Sequence, residues 1–390
     1  MKILFLLESE FPPDVRVENE IYTLVSMRHT IHIACWTFKN RPLFEKTSFG
    51  AIHRVKISKV VYKSSVGALV FPIYFNFWRK YVKKIIREFE FDAVHVCDLP
   101  LARVGFELKK KKNIKYILDL HENWPAFIEA ADHTKSLLGK VLSPLRLWRN
   151  YEIKMVNKAD AVITVVEEMK NRLVNLGVTN KNILVVQNTV KPESLIFKSQ
   201  EYHTDDNLVM LYSGGIDNQR GIDTAIEGLK FIVEKNKRVR LWIVGKGTYE
   251  AILRKKVTEF NLIDYVKFWG WNSTEKMFEL IDQADVAIIP YIRTVQTDCS
   301  SPNKLFQYMY LKKPVLASNC ISIKRVLDET NAGLCYVHNS ARDFAEKALR
   351  LLKDEKLRKE LGSNGHRAII NKYNWDNTSK DLLRIYNKEI

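Results

Sequence analysis

The chain has 390 residues, 46% of them hydrophobic, and a formal net charge of +17. That length and apolar content predict packed cores in two or three domains and exclude a disordered or low-complexity protein. The five cysteines (Cys35, Cys97, Cys299, Cys320, Cys335) form no CxxC pair and no Cys/His cluster, which argues against a disulfide framework or a zinc site.

The apolar stretch from Ile3 to Leu7 is too short for a signal-peptide core, and no run reaches the roughly 20 apolar residues of a membrane span. A soluble, cytoplasmic protein is expected. The excess of Lys and Arg is concentrated in the first half without any nucleic-acid recognition motif, so an anionic membrane surface is the expected partner and nucleic acid is not.

Along the chain, short apolar runs alternate with longer segments of helical period, the pattern of parallel βαβ units. Expected strands of the first half are Lys2 to Leu7, Thr30 to Trp36, Ala51 to Ile57, Ala93 to Cys97, Lys115 to Asp119, Ala161 to Val165 and Ile183 to Val186. Three of them lead into polar segments: ESEFPPDVRVENE (Glu8 to Glu20), HVCDLP (His95 to Pro100) and LDLHENWP (Leu118 to Pro125). In an open α/β sheet such segments lie at the C-terminal rim, where ligands bind. Asp14, Arg16, Asp98, His121, Glu122 and Trp124 are therefore candidate site residues as a joint pattern, although each polar one taken alone reads better as a cap or turn residue.

Residues 71–91, FPIYFNFWRKYVKKIIREFEF, place Trp78, Val82, Ile85, Ile86 and Phe89 on one helical face among Arg79, Lys80, Lys83, Lys84 and Arg87. Such a helix either packs its stripe on a sheet or lies among anionic headgroups. A second basic stretch, Lys135 to Lys158, would add Leu137, Leu138, Val141, Leu142, Leu145, Leu147 and Trp148 to the same surface.

The periodic pattern breaks at residues 187–207, where Pro192, small polar residues and charges mark a linker. Expected strands beyond it are Leu208 to Tyr212, Val239 to Val244, Val266 to Trp269, Asp285 to Ile289, Val315 to Ser318 and Gly333 to Tyr336. Tyr212 to Leu229 reads as a strand, a turn and a helix. Gly214 and Gly215 would let backbone approach a ligand there, and Arg220 is placed to pair with phosphate oxygens. Gly245 and Lys246 follow the next strand, and Trp271 follows the one after, where the residues alone read as well as a core aromatic.

The segment SSPNKLFQYMYLKKPVLAS (Ser300 to Ser318) is the most informative. Ser301 and Pro302 are expected to open a helix as its cap and first residue, aiming N–H groups at an anion beyond the preceding strand. Lys304, in the first turn of that helix, stands against the helix dipole, and a bound diphosphate would reverse that sign.

Residues 301–309, SPNKLFQYM, resemble the donor-binding helix of the retaining, GT-B fold glycosyltransferases of the "group 1" family (glycosyltransferase family 4-like), many of which read S-P-N-K-L-F-E-Y-M. Gln307 stands where they have glutamate. Gly215 stands where members often have an arginine, and Arg220 where they have a lysine. Gln187-Asn188-Thr189-Val190 matches the start of the family's interdomain linker, and Trp375 to Ile390 resembles the terminal helix that crosses back onto the first domain.

The resemblance implies two doubly wound Rossmann-like domains facing across a cleft: residues 1–190 with 375–390 on the acceptor side, and 191–374 binding the nucleotide sugar. It implies transfer of a sugar, with retention, from a nucleoside diphosphate sugar to a glycan or polyprenyl-linked acceptor, as in bacterial surface polysaccharide assembly. The scheme requires no metal and no cofactor besides the donor.

By the same resemblance, Arg220, Lys304 and the amides near Ser301 to Asn303 would stabilise the departing diphosphate. His121 would sit beside the donor sugar, with Glu122 as its orienter. Gly214, Gly215, Gly245, Lys246, Trp271, Tyr291, Ser301, Pro302, Asn303, Leu305 and Gln307 would line the donor site, and Asp14, Arg16, Asp98 and Trp124 the acceptor side. Two rival readings are a sugar-nucleotide epimerase and a non-catalytic module binding a nucleotide or a partner, the latter suggested by Gly215, Cys299 and Gln307 together.

Overall fold

The computed structural model describes residues 1–131, 134, 136–192 and 207–387, with the backbone alone at Leu137 and Leu138. Most of the expected linker, Lys135 of the second basic stretch and the last three residues of the terminal segment lie outside the described residues. The chain divides into two compact units, one of Met1–Gln187 with Thr378–Ile390, the other of Asn188–Asn377.

Unit one holds an eight-stranded sheet of β1 (Lys2–Leu7), β2 (Thr30–Thr37), β3 (Phe44–Thr47), β4 (Gly50–Lys56), β5 (Ala93–Cys97), β6 (Lys115–Leu120), β7 (Ala161–Thr164) and β8 (Ile183–Val185). Their order is β3-β4-β2-β1-β5-β6-β7-β8, parallel throughout except for the antiparallel β3–β4 pair. Helices cover the sheet, so β1 and β5 are buried nearly end to end, as strands covered on both faces must be. The chain builds outward from β1 to β4 and then lays β5 on the other side of β1. That reversal opens a crevice beyond Leu7 and Cys97, at the carboxyl ends of the two strands.

The helix Ile73–Glu88 resolves the two readings of residues 71–91 in favour of packing. Tyr74, Phe75, Trp78, Tyr81, Val82 and Ile85 are buried, so its apolar face belongs to the core and is not free to enter a membrane. Lys80, Lys83 and Lys84 remain exposed, while Arg79 holds Glu107 through Nε (2.7 Å) and Nη2 (2.6 Å).

Unit two holds β9 (Leu208–Ser213), β10 (Val239–Val244), β11 (Val266–Gly270), β12 (Val286–Ile289), β13 (Val315–Ser318) and β14 (Gly333–Tyr336), all parallel, in the order β11-β10-β9-β12-β13-β14. Its strand order reverses between β9 and β12, which makes the loops after Ser213 and Ile289 the second switch point. The turns after β9 and β10 nest backbone to backbone. Gly245 has φ +140°, and a Cβ there would meet Gly214 O at 1.9 Å, so no other residue fits.

Each unit is thus a doubly wound α/β layer structure, and every strand expected from the apolar runs is present. No helix among the described residues is long and apolar enough to cross a membrane. Trp78→Ala should lower stability by about 3–5 kcal/mol in urea denaturation, the scale for removing a buried tryptophan. A change below about 1 kcal/mol would mean that this stripe is not core.

Candidate functional site

Beneath the β1/β5 switch point of unit one, Asp119 of β6 packs with Arg16 and Glu20 of the helix Val15–Ser26 and with His95 of β5, all buried. Arg16 donates Nε (3.1 Å) and Nη2 (2.7 Å) to the two Asp119 oxygens and Nη1 (2.8 Å) to Val186 O, and its Nη2 lies 3.1 Å from Glu20. Glu20, His95 and Asp119 bring ligand atoms within 4.8 Å of one another, as a metal site would, but the Arg16 guanidinium is bonded to Asp119 and lies 3.1 Å from Glu20.

His121 Nε2 donates to Asp119 at 2.7 Å, and Nδ1 lies 3.5 Å from Asp98, whose other oxygen accepts the His121 backbone N–H at 2.9 Å. Burial alone would raise Asp119, yet the charges of Arg16 and His121 outweigh it and hold that carboxyl well below its usual range. Against its own burial, His121 is pushed well above its ordinary value by Asp119 and Asp98. Both of its ring nitrogens are turned toward carboxylates, an arrangement that favours the protonated ring. Glu20 moves the other way, raised by burial and by Asp119. Asp98 itself has φ 67° and ψ 162°, a conformation that is nearly glycine-only and costs about 1–3 kcal/mol, so strain is stored at this rim.

A cavity of about 790 Å³ opens over these residues, with Glu8, Asp98, His121, Glu122 and Trp124 in its lining and Tyr62, Val66, Phe127 and Leu142 among its apolar walls. Burial pushes the Glu8 carboxyl up to about 8, although Tyr74 opposes the shift.

At the β9/β12 switch point of unit two, Lys304 lies in the first turn of the helix Asn303–Tyr310 and is buried. Its Nζ sits 3.9 Å from the Tyr212 ring centre and 5.3 Å from that of Tyr291. Arg220 lies over the other part of this floor, 4.9 Å from the Tyr291 ring, with Nε donating to Asp217 at 2.9 Å. A Cβ at position 214 would lie 2.6 Å from Lys304 Nζ, so Gly214 makes room for an ammonium. Lys304 has no salt bridge among the described residues, and burial, followed by repulsion from Arg220, holds its pKa well below the ordinary lysine value.

Ser301 does not cap this helix. Its Oγ accepts the Asn188 N–H and its carbonyl the Asn188 side-chain amide, both at 3.3 Å, and Pro302 takes the cap position with no side-chain cap bond. The helix N-terminus thus lacks a side-chain cap, beside two cations.

The structure gathers Gly214, Arg220, Tyr291 and Lys304 into one cluster, with Gln307 half-buried three residues further along the same helix. Gly215 is exposed with open space at its Cβ position, and Lys246, Trp271 and Asn303 are exposed. Leu305 is core, so only its backbone can serve a ligand. In unit one, Asp14 is both cavity lining and a helix cap, accepting the Val17 N–H at 3.1 Å. Arg16 lies beneath the rim, in the interior network. Sequence reasoning singled out neither Glu8, Glu20, His95 and Asp119 nor Tyr212 and Asp217. The spacing of Arg16 and Glu20, four apart on a helix, was the available signal for the first group.

The family described as "Glycosyltransferase Family 4" matches residues 15–194, and "Glycosyl transferases group 1" matches residues 194–368. The poly(ribitol-phosphate) alpha-N-acetylglucosaminyltransferase of Staphylococcus aureus is 24% identical, over 85% of this chain and 61% of its own. Sucrose-phosphate synthase from Thermosynechococcus elongatus superposes with a TM-score of 0.83 at 16% identity, over 100% of this chain and 98% of its own. HepE of Anabaena, solved in complex with UDP-glucose, gives 0.73 at 15% identity, over 100% and 99%.

Glu8 yields a pH test. Between its ordinary value of 4.5 and its raised value of about 8, the native carboxyl is protonated while the unfolded one is ionised. Unfolding then releases a proton and is favoured as pH rises. Glu8→Gln, neutral at every pH, should be more stable than the natural chain, by a margin that widens across that window and levels off above it. Parallel thermal-melting curves for the two proteins would show that Glu8 is ionised in the fold.

Proposed function

The chain belongs to the group 1 glycosyltransferases, its two halves matching adjoining families over residues 15–368, and from that premise we propose that it transfers a sugar from a nucleoside diphosphate sugar to a glycan or lipid-linked glycan, with retention at the anomeric carbon. The observation that carries this reading is the Lys304–Arg220 pair over Tyr212 and Tyr291, with Gly214 clearing space for the ammonium. A buried lysine beside the half-buried Arg220, next to a helix start with no side-chain cap, would be stabilised by an anion with charge spread over several oxygens.

A diphosphate has that chemistry. As its bond to the sugar breaks, negative charge grows on the leaving oxygens, and preorganised cations stabilise the transition state more than the ground state. The scheme asks for no metal ion. Gln307 and Trp271 serve ribose and base in this reading, unit two holds the donor and unit one the acceptor. The UDP-glucose bound by HepE and the poly(ribitol-phosphate) named for the Staphylococcus relative support a sugar-nucleotide donor and a role in bacterial glycopolymer synthesis. Exposed Lys80, Lys83 and Lys84, with exposed Phe71 before the same helix and Ile73 at its first position, favour work at the cytoplasmic face of an anionic membrane.

Arg220→Ala and Lys304→Ala should each lower turnover with the preferred sugar nucleotide by about a hundredfold or more while leaving the fold intact. Unaltered turnover in either variant would remove that residue from the mechanism. A panel of sugar nucleotides also separates transfer from epimerisation and from binding without turnover.

Gly215 has no positive φ and nothing near its Cβ position, so Gly215→Arg should fold normally and tighten nucleoside diphosphate binding by roughly tenfold through a new charge-assisted contact. Gln307→Glu should preserve or tighten binding, since a carboxylate accepts from both ribose hydroxyls. Calorimetry with uridine and guanosine diphosphates measures both, and weaker binding in either variant contradicts this assignment of the site.

A further inference from the structure

The turn after β9 carries a carboxylate next to the cations of unit two. Asp217 caps the one-turn helix Asn218–Arg220: one of its oxygens accepts the Gln219 N–H at 3.0 Å and the other accepts Nε of Arg220 at 2.9 Å. The backbone of this turn is fixed against the end of β12. Gln219 O accepts the Ile292 N–H at 3.0 Å, and Gly221, with φ +61°, lies so close that a Cβ there would meet Pro290 O at 2.0 Å. Residues 217–221 are thereby pinned to the backbone on either side of Tyr291, whose ring lies 4.9 Å from the Arg220 guanidinium.

A fixed backbone settles where the arginine starts but not where its head ends. With its side chain 36% exposed, Arg220 depends on its partners to hold one rotamer, and Asp217 is its ion-pair partner. Their hydrogen bond uses Nε and not the terminal nitrogens that make a two-pronged contact with a phosphate.

The same carboxylate acts on Lys304. Burial and then Arg220 disfavour the protonated lysine, and Asp217 favours it. The Tyr212 and Tyr291 rings beside the lysine are phenols, since burial raises both. Asp217 is thus an acid whose charge bears on both cations of the cluster.

We propose that Asp217 is a positioning residue for the donor diphosphate, holding the Arg220 head over Tyr291 and offsetting the repulsion between Arg220 and Lys304 while the site is empty. The inference rests on the donor reading of unit two and adds to it a residue that acts through both cations. A carboxylate near an anion site also repels the anion, so the sign of its effect on binding is informative.

The test is calorimetric titration of the natural chain, Asp217→Asn and Asp217→Ser with uridine and guanosine diphosphates between about pH 6 and about pH 9. Asparagine and serine are both good caps, so the variants keep the turn and lose the charge. Each should bind the preferred diphosphate about fivefold or more weakly than the natural chain, the scale of losing a charge-assisted hydrogen bond. Without Asp217 the Lys304 ammonium gives up its proton at a lower pH. The gap in affinity should therefore widen with pH between the Lys304 titration of the variant and that of the natural chain, and stay constant on either side.

A capping role alone would leave both variants binding like the natural chain with parallel pH profiles, and a purely repulsive role would make them bind more tightly. Either result overturns the proposal and leaves the donor reading in place. Failure of the natural chain to bind either diphosphate would remove the donor reading and this inference with it.

Discussion

A buried lysine with no salt bridge among the described residues is the constraint around which unit two is organised. Lys304 is held on the faces of Tyr212 and Tyr291 rather than in a salt bridge, and the neighbouring Arg220 adds to its cost. Cation–aromatic contact contributes on the order of 1–2 kcal/mol in a desolvated place, well short of neutralising a lysine. The backbone has been shaped to accept that deficit: glycine at 214 so that the ammonium fits, glycine at 245 so that the next turn can nest against it, and Ser301 engaged by Asn188 so that it does not cap the helix. These features make sense together as a preorganised anion site, in which stability is given up at one spot so that binding recovers it.

Unit one solves the opposite problem with the same residue types. There Asp119 accepts from both Arg16 and His121, while burial and the Asp119 charge raise the pKa of Glu20. Such a network adds little net stability, because desolvation consumes most of the attraction, but it fixes geometry tightly. What it fixes is the His121 ring and the strained Asp98 backbone at the cavity rim. The two switch points thus divide the labour: a rigid, neutralised floor in one unit and an under-neutralised anion cradle in the other.

Much of this was legible in the residues. Parallel strands buried on both faces have to be apolar runs, so their number and order of appearance could be read directly, and Lys304 declared itself by standing against a helix dipole. β3 could not be read, because Phe44–Thr47 is a short edge strand with little buried surface to impose a pattern. The stripe on Ile73–Glu88 was ambiguous for a physical reason: the same amphipathic period serves a sheet and a headgroup layer, and only the third dimension shows which one covers it.

Ser301 misled because a serine before a proline caps helices locally, whereas here its hydroxyl accepts the backbone N–H of Asn188, 113 residues upstream. The buried cluster stayed hidden because Arg16 and Glu20, four apart, look like an exposed helical pair until Asp119 arrives from another strand.

The hydroxyl of Tyr386 bonds Nδ1 of His95, 291 positions earlier, and so supplies the last partner of the unit-one interior. Between those two residues lies the whole of unit two. At ordinary rates of elongation, the interval between their synthesis is roughly 15–60 s. Unit one is therefore the first to be made and the last to be closed, and the order of folding cannot simply follow the order of translation. A nascent chain paused anywhere within unit two carries its first unit with an open seam along β5, where a buried histidine still waits for its phenol.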